Sequence, residues 1–250
     1  MKSLLYASVA VFALTAVPAL AQEAAADDSN NPGEIVVTAQ KRSENLRDVP
    51  IAIQAMSGDS LKNSGFTDLR DLKSLVPSFQ ASNPGNAANV TFSIRGVGQR
   101  DVNSTSEGTV AEFVDGAYVS FIGALGQPLY DVERIEVLKG PQGTLFGRNA
   151  TGGLIHVISK KPTDHLDGYA SAEISSFNGY KLEGAVGGPL GDKASGRLSV
   201  SYDKADGYLK NTTGPDLLAK DNMSARLQLK FEPTDALTVN LSGRYWKAAR

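Results

Sequence analysis

The sequence predicts a small α+β domain followed by the opening strands of a transmembrane antiparallel β-barrel, and three observations carry that expectation. Two short alternating segments, Arg134 to Lys139 and Leu154 to Ile158, flank a Gly-rich linker, as two core strands joined by a built turn would. Ahead of them lie two helix signals, Ser57 to Gly65 and Thr67 to Pro77. Beyond Lys161-Pro162, segments of about ten residues alternate apolar and polar, with tyrosines near their ends.

The chain opens on Lys2, the apolar run Leu4 to Val17 and then Ala19-Leu20-Ala21. A positive start, a short hydrophobic region and a small-x-small site make residues 1–21 a secretory signal peptide. The run falls short of the ~20 apolar residues a membrane-spanning helix needs. An interfacial anchor helix is the bland alternative, but Pro18 and its small neighbours suit cleavage better. Export bounds the rest. There is no cysteine, which excludes disulfides, thiol catalysis and thiolate metal sites. Only His156 and His165 are present, too few for a histidine metal centre and little for a Ser-His-Asp triad. His156, inside a strand pattern, reads as structural. A net charge of −2 argues against a nucleic-acid partner.

Residues 22–47 read as a flexible linker, since Gln22 to Gly33 is Ala, Asp, Asn and Pro with no core former. Within it Glu34-Ile35-Val36-Val37-Thr38-Ala39 stands out as β-branched, with no obvious neighbour to pair with. It is either the first edge strand of the following domain or an extended segment that adds to another protein's sheet edge.

From Asp48 to Lys161 the pattern is α+β. Val49 to Met56 alternates as a strand. Ser57 caps a helix through Asn63 that stops at Gly65. Thr67 or Asp68 caps a second, Leu69 to Leu75, with Leu69, Leu72, Leu75 and Val76 on one face and Pro77 ending it. Asn83 to Asn89 is a polar loop. Val90 to Gly96 is a strand with Val90, Phe92 and Ile94 on one side, and Gln99 to Thr109 an exposed loop. Glu112 to Gly116 runs as a strand into a turn, with Ala117 to Phe121 continuing. The linker from Gly140-Pro141-Gln142-Gly143 to Gly152-Gly153 holds one helical turn, Thr144-Leu145-Phe146. Glycines after a strand can cradle a phosphate, but neither Gly-x-x-x-x-Gly-Lys-Ser/Thr nor Gly-x-Gly-x-x-Gly occurs. A structural turn is the better reading.

These residues carry a resemblance. Arg134-Ile135-Glu136-Val137-Leu138-Lys139-Gly140-Pro141, then Leu145-Phe146-Gly147, then Gly152-Gly153 before a strand, resemble the plug domain of TonB-dependent outer-membrane receptors. Ile94-Arg95-Gly96 and Val114-Asp115-Gly116 precede them in the plug's order. Residues 48–161 then resemble a plug and 162–250 the first barrel strands, while Glu34 to Ala39 looks like a TonB box, the segment TonB grips from the periplasm.

The resemblance implies an outer-membrane receptor for TonB-energised uptake of a scarce nutrient, with plug and box facing the periplasm. A ferric siderophore is the family's commonest substrate, though cobalamin, haem or glycans would need much the same plug. Its implied partners are TonB with its inner-membrane energising complex, the ligand and outer-membrane lipid. No catalysis, cofactor or metal site is implied. It assigns structural or coupling roles to Arg95, Gly96, Asp115, Gly116, Arg134, Glu136, Gly140, Gly147, Gly152 and Gly153. Arg95 and Arg134 border apolar strands, where an unpaired charge is costly. The bland account is that their heads reach solvent; the resemblance implies instead that they pair with barrel carboxylates, which would lie beyond Arg250, and that ligand meets the plug at Gln99, Arg100 and Asp101.

In the last region, Gly168 to Ile174, Tyr180 to Val186, Arg197 to Tyr202, Ala225 to Phe231 and Leu237 to Tyr245 all alternate. Ala225, Leu227, Leu229 and Phe231 share a face opposite Arg226, Gln228 and Lys230. Leu237, Val239, Leu241, Gly243 and Tyr245 oppose Thr238, Asn240, Ser242 and Arg244. Gly187 to Asp192 and Glu232 to Asp235 are turns. A soluble β-sandwich alternates as well; export, the preceding domain and the terminal tyrosines favour the barrel. Filled-lumen barrels use about 22 strands, and a partial sheet would expose its edges in lipid. The expectation is the amino-terminal part of a longer receptor, or a truncated product. Two rivals stand beside it. One is an isolated periplasmic plug-type module that binds TonB or ligand without transport. The other is an exported hydrolase using Asp101, Glu107 or Asp115, although nothing in the sequence places two of these as a reactive pair.

Overall fold

The computed structural model describes residues 36–38, 41–83, 89–99, 107–214, 216–234 and 236–248. The signal peptide, the linker to Gly33, and Glu34, Ile35, Ala39, Arg100 and Asp101 lie outside the described residues.

A short antiparallel hairpin comes first, β1 (Val36–Val37) on β2 (Glu44–Asn45). β3 (Ile53–Ser57) runs into α1 (Gly58–Asn63), where Ser57 accepts from the Ser60 N–H and Gly65, at φ +73°, follows the stop. The second helix signal folds as a 3-10 helix, Leu69–Ser74, rather than an α-helix. Asp68 and Asp71 close a capping box over its first turn, and Pro77 stands just past its end. β4 (Phe79–Ser82), β5 (Thr91–Ile94) and β6 (Val97–Gly98) make a small antiparallel sheet. β7 (Val110–Val114) and β8 (Ala117–Tyr118) form a hairpin, followed by β9 (Val132–Lys139), the one-turn helix α2 (Gly143–Phe146) and β10 (Gly153–Ser159).

The central sheet has the order β3-β9-β10-β7-β8. β10 is buried at every position, antiparallel to β9 and parallel to β7, which accounts for its near-continuous apolar run. One face of the sheet packs Ile135, Val137, Ile155 and Val157 against Leu61, Leu69, Leu72, Phe92 and Ile94. The other packs Leu138, Leu154, Ala111 and Phe113 against Val37 and Val49. Gly153 leaves no room for a side chain between β9 and β10: at φ +143°, an added Cβ would lie 2.3 Å from the Leu138 carbonyl oxygen.

The last five strands form an antiparallel sheet in sequence order: β11 (Asp167–Ser175), β12 (Gly179–Gly191), β13 (Ala194–Ala205), β14 (Lys220–Thr234) and β15 (Leu237–Ala248). Their register aligns Leu182 with Tyr202, Val186 with Leu198, and Leu198 with Leu227, so one face is apolar through its middle, with Lys204 and Asp221 at one end. That face is bare: Leu182 is 50% exposed, Leu227 49% and Leu241 62%. The opposite face carries Arg197, Ser199, Ser201, Ser224, Arg226 and Gln228, all buried. Polar side chains buried against the α+β domain and apolar ones left outside is the reverse of a soluble sandwich.

Candidate functional site

Two polar constructions bear on function. The first holds residues 36–38. The sequence leaves two readings for residues 34–39, an edge strand of the following domain or an extended segment that adds to another sheet, and in the structure Val36–Thr38 lies docked on the domain. Val37 is fully buried in the second core cluster, while Val36 is 47% exposed. Burying a valine contributes about 2 kcal/mol. Thr38 then donates its backbone N–H to Glu136 Oε1 at 2.8 Å, and its hydroxyl reaches the same oxygen at 3.2 Å. Glu136 sits on β9, 98 positions along the chain, so no local pattern could reveal the pairing.

The Glu136 carboxylate is wholly buried. Arg134 Nε donates to its Oε1 at 2.9 Å, and His156 Nδ1 lies 3.8 Å from Oε2. Burial alone would push this carboxyl up. The neighbouring imidazole, the Thr38 amide and Arg134 outweigh it and hold the group below its ordinary value. His156 Nε2 accepts from the Gly116 N–H at 3.1 Å. Asp115 Oδ1 accepts from the Ser159 N–H at 2.8 Å, which ties the same turn to β10.

The second construction joins the domain to the strand wall. Asp131, at φ +48° just before β9, is a buried carboxylate aimed at the wall. Arg197 grips it in bidentate fashion, Nε to Oδ2 at 2.8 Å and Nη2 to Oδ1 at 2.7 Å. Ser199 donates to it as well, and Arg226 Nη2 reaches Oδ2 at 3.3 Å and the Asp131 carbonyl at 2.9 Å. Burial pushes the Asp131 carboxyl up, but the Arg197 and Ser199 bonds and the charge of Arg226 hold it below the usual range. Farther along the seam, Arg244 Nη2 lies 3.5 Å from Asp115 Oδ2. Glu112, 1% exposed, accepts from the Gly126 N–H at 2.9 Å; burial drives its carboxyl up to about 7, against the Gly126 bond and the Arg244 charge.

The seam therefore pairs domain carboxylates with wall arginines. The barrel carboxylates that the resemblance implies for Arg95 and Arg134 would lie beyond Arg250; within the described residues Arg134 pairs with Glu133 and Glu136 of its own strand. Arg95 is exposed, and its guanidinium has no ion-pair partner among the described residues. Arg95-Gly96 and Asp115-Gly116 share a plainer role. Each forms a two-residue hairpin turn with positive φ at both positions, +54° and +77°, then +52° and +82°, the I′ geometry that matches strand twist. Gly140, Gly147 and Gly153 take positive φ, and Gly152 lies against Val97. Gln99 lines a cavity of about 160 Å³ with Glu107, Tyr118, Arg148 and Asn149.

Asp131, Glu112, Arg197 and the docking role of Glu136 were missed in the sequence. The available signal was three arginines, Arg197, Arg226 and Arg244, on the polar faces of alternating strands; such charges call for buried acids elsewhere. No group of three or more metal-ligating side chains occurs among the described residues.

Residues 45–154 match the family model for the TonB-dependent Receptor Plug Domain. The pesticin receptor of Yersinia pestis is 30% identical over 223 residues, 88% of this chain and 32% of that protein. The catecholate siderophore receptor Fiu of Escherichia coli is 31% identical over 166 residues, 66% of this chain and 21% of that protein. Among solved structures, the ferric yersiniabactin uptake receptor FyuA of Yersinia pestis aligns with a TM-score of 0.69 at 29% identity, over 74% of this chain and 29% of that one. The chain thus spans 32% and 21% of the lengths of these two curated relatives. The α+β domain is a plug, the wall is the start of an antiparallel barrel, and the chain belongs to the TonB-dependent receptors.

Proposed function

We propose that this chain serves TonB-energised uptake of a scarce nutrient across the outer membrane, with a ferric siderophore as the ligand class. Residues 34–39 are the segment TonB engages, from the periplasmic side. The observation that carries the reading is how lightly Val36–Thr38 is fastened. β1 is two residues long and pairs only with the two-residue β2, Val37 is its one buried side chain, and the described contacts of Thr38 are the Glu136 carboxylate and Arg134 side chain of β9 and the Lys41 N–H on its own carbonyl, with no backbone ladder to the central sheet. A partner that adds a strand can replace those interactions with its own main-chain bonds, and it gains access only as the docked state gives way.

The wall supports placement in a membrane. Its bare apolar face runs along β13 from Ala194 to Tyr202. At roughly 3.3 Å per residue and a tilt near 40°, that span is about 20 Å tall, close to the apolar band of about 25 Å expected of such barrels. An isolated water-soluble plug module would leave this face in water, which disfavours that alternative. The siderophore assignment is supported by Fiu and FyuA, whose names specify a catecholate siderophore and ferric yersiniabactin.

The test is Val36→Pro in cells fed a radiolabelled ferric siderophore. Proline removes an N–H and fixes φ. Uptake should fall to background while surface binding of the siderophore persists. Unchanged uptake would rule out this segment as the point of engagement.

A further inference from the structure

Beside the docking carboxylate stands an imidazole that already favours its charge yet lies just outside hydrogen-bond range. His156 is 8% exposed, and its Nδ1 is buried without a hydrogen-bond partner. Because Nε2 accepts from the Gly116 N–H, the proton of the neutral ring sits on Nδ1. Among the described residues this buried donor therefore has no acceptor in hydrogen-bond range. Glu136 Oε2 lies 3.8 Å away, too long for a bond. Oε1 is meanwhile held by the Thr38 N–H at 2.8 Å and by Arg134 at 2.9 Å, while among the described residues Oε2 has the Thr38 hydroxyl alone, at 3.4 Å.

We propose that Glu136 is a partner-exchanging latch: docked, it holds the Thr38 amide; released, it moves to the idle Nδ1–H of His156. The movement is about 1 Å, the difference between 3.8 Å and an ordinary hydrogen bond. Such an exchange spares a buried carboxylate the loss of a bond when the strand leaves, and it satisfies a donor that docking leaves idle. His156 is thus a positioning residue that makes release of residues 36–38 easier than the docked contacts alone would allow. Gly116, bonded to the other ring nitrogen, belongs to the turn whose Asp115 faces Arg244 of the wall. The latch therefore lies one hydrogen bond from the plug–wall seam. This inference concerns the regulation of the segment assigned to TonB above and rests on that reading.

The chain has no native cysteine, so Val37→Cys is a clean reporter: a fully buried thiol reacts with a maleimide only when the strand undocks. His156→Gln keeps an acceptor near the Nε2 position but lacks the Nδ1 donor, and His156→Asn does the converse. Losing one hydrogen bond to a charged group predicts about tenfold slower labelling in the Gln variant. The Asn variant should label at least as fast as the parent. If His156 merely braces the Asp115–Gly116 turn, the order reverses, with Asn the perturbed variant and Gln neutral, and the latch is overturned. Val90→Cys, buried in the other cluster, must stay slow throughout, which separates undocking from unfolding. Should a His156 variant open globally, ¹⁵N NMR of His156 in Thr38→Pro decides instead. Nδ1–H must move to a hydrogen-bonded shift once the Thr38 amide is gone, and an unmoved resonance overturns the proposal. Binding of TonB's periplasmic domain to the same variants keeps the two readings apart. Labelling rates in the predicted order without any TonB binding would sink the TonB assignment and leave the latch standing.

Discussion

Replacing Asp131 with Asn probes the plug–wall seam at its centre. The carboxylate is wholly buried and the Arg197 side chain is 1% exposed, so water cannot take over a lost partner. Asn retains one acceptor and gives up the charge that Arg197 and Arg226 face. Leaving a buried cation uncompensated costs about 3–5 kcal/mol. Asp167 still meets Arg197 Nη1 at 2.8 Å but is 43% exposed, and it moderates the loss toward the lower end, about 3 kcal/mol. Urea unfolding of the chain in detergent, followed by the single tryptophan, Trp246 on β15, reads the change in stability. A double-mutant cycle with Arg197→Met should then recover much of the loss, because removing both charges removes the unpaired one. The native contribution of the pair should persist at neutral pH and fade as acid titrates Asp131 through its depressed value. A loss below about 1 kcal/mol, or strictly additive effects, would show that the pair carries no weight in the seam.

Other substitutions test other parts. Glu112 titrates near 7 when folded against an ordinary 4.5, so the folded state holds the extra proton and stability falls as pH rises between those values, by about 3 kcal/mol in all. Glu112→Gln should flatten that slope, and a slope identical to the parent's would refute the assignment. Gly153→Ala sets a methyl 2.3 Å from the Leu138 carbonyl oxygen and 2.9 Å from Ile94 Cδ1. The expected outcome is a destabilisation of about 2–4 kcal/mol by the same unfolding assay, and a neutral variant would mean β9 and β10 can part without cost. Leu227→Lys, on the bare face, should lower assembly into liposomes by about 2–4 kcal/mol, whereas Gln228→Lys, on the face toward the plug, should not. Equal effects at the two sites would contradict the outward assignment of Leu227.

What could be read from the sequence was local. The Ser57 cap, the Gly65 stop and the strands of the Gly-rich block all follow from neighbours a few residues apart. The wall strands were recognised but drawn short. Gly187, Gly188 and Pro189 interrupt the alternation, yet β12 runs through them to Gly191. β4 went unseen because Ser78, at φ +64°, turns the chain directly after Pro77 and leaves only four residues to show a pattern. The functional contacts were out of reach for a different reason. Thr38 meets Glu136 across 98 positions and Asp131 meets Arg197 across 66. Each partner looks, in its own neighbourhood, like a polar residue at a strand end. The sequence marked residues 34–39 as unusual, but whether Val36–Thr38 floats or docks was set by a carboxylate that its flanking residues do not mention.

The most direct test of the account is whether TonB contacts residues 36–38. Single cysteines at Val36, Val37 and Thr38 in the otherwise cysteine-free chain would be mixed with TonB's periplasmic domain carrying cysteines along its exposed strand edge. The account predicts disulfides at these positions in an alternating pattern, as strand pairing requires, and their loss when Val36→Pro is combined with cysteine at Thr38. Binding without cross-links here, or cross-links only to the wall turns, would contradict it.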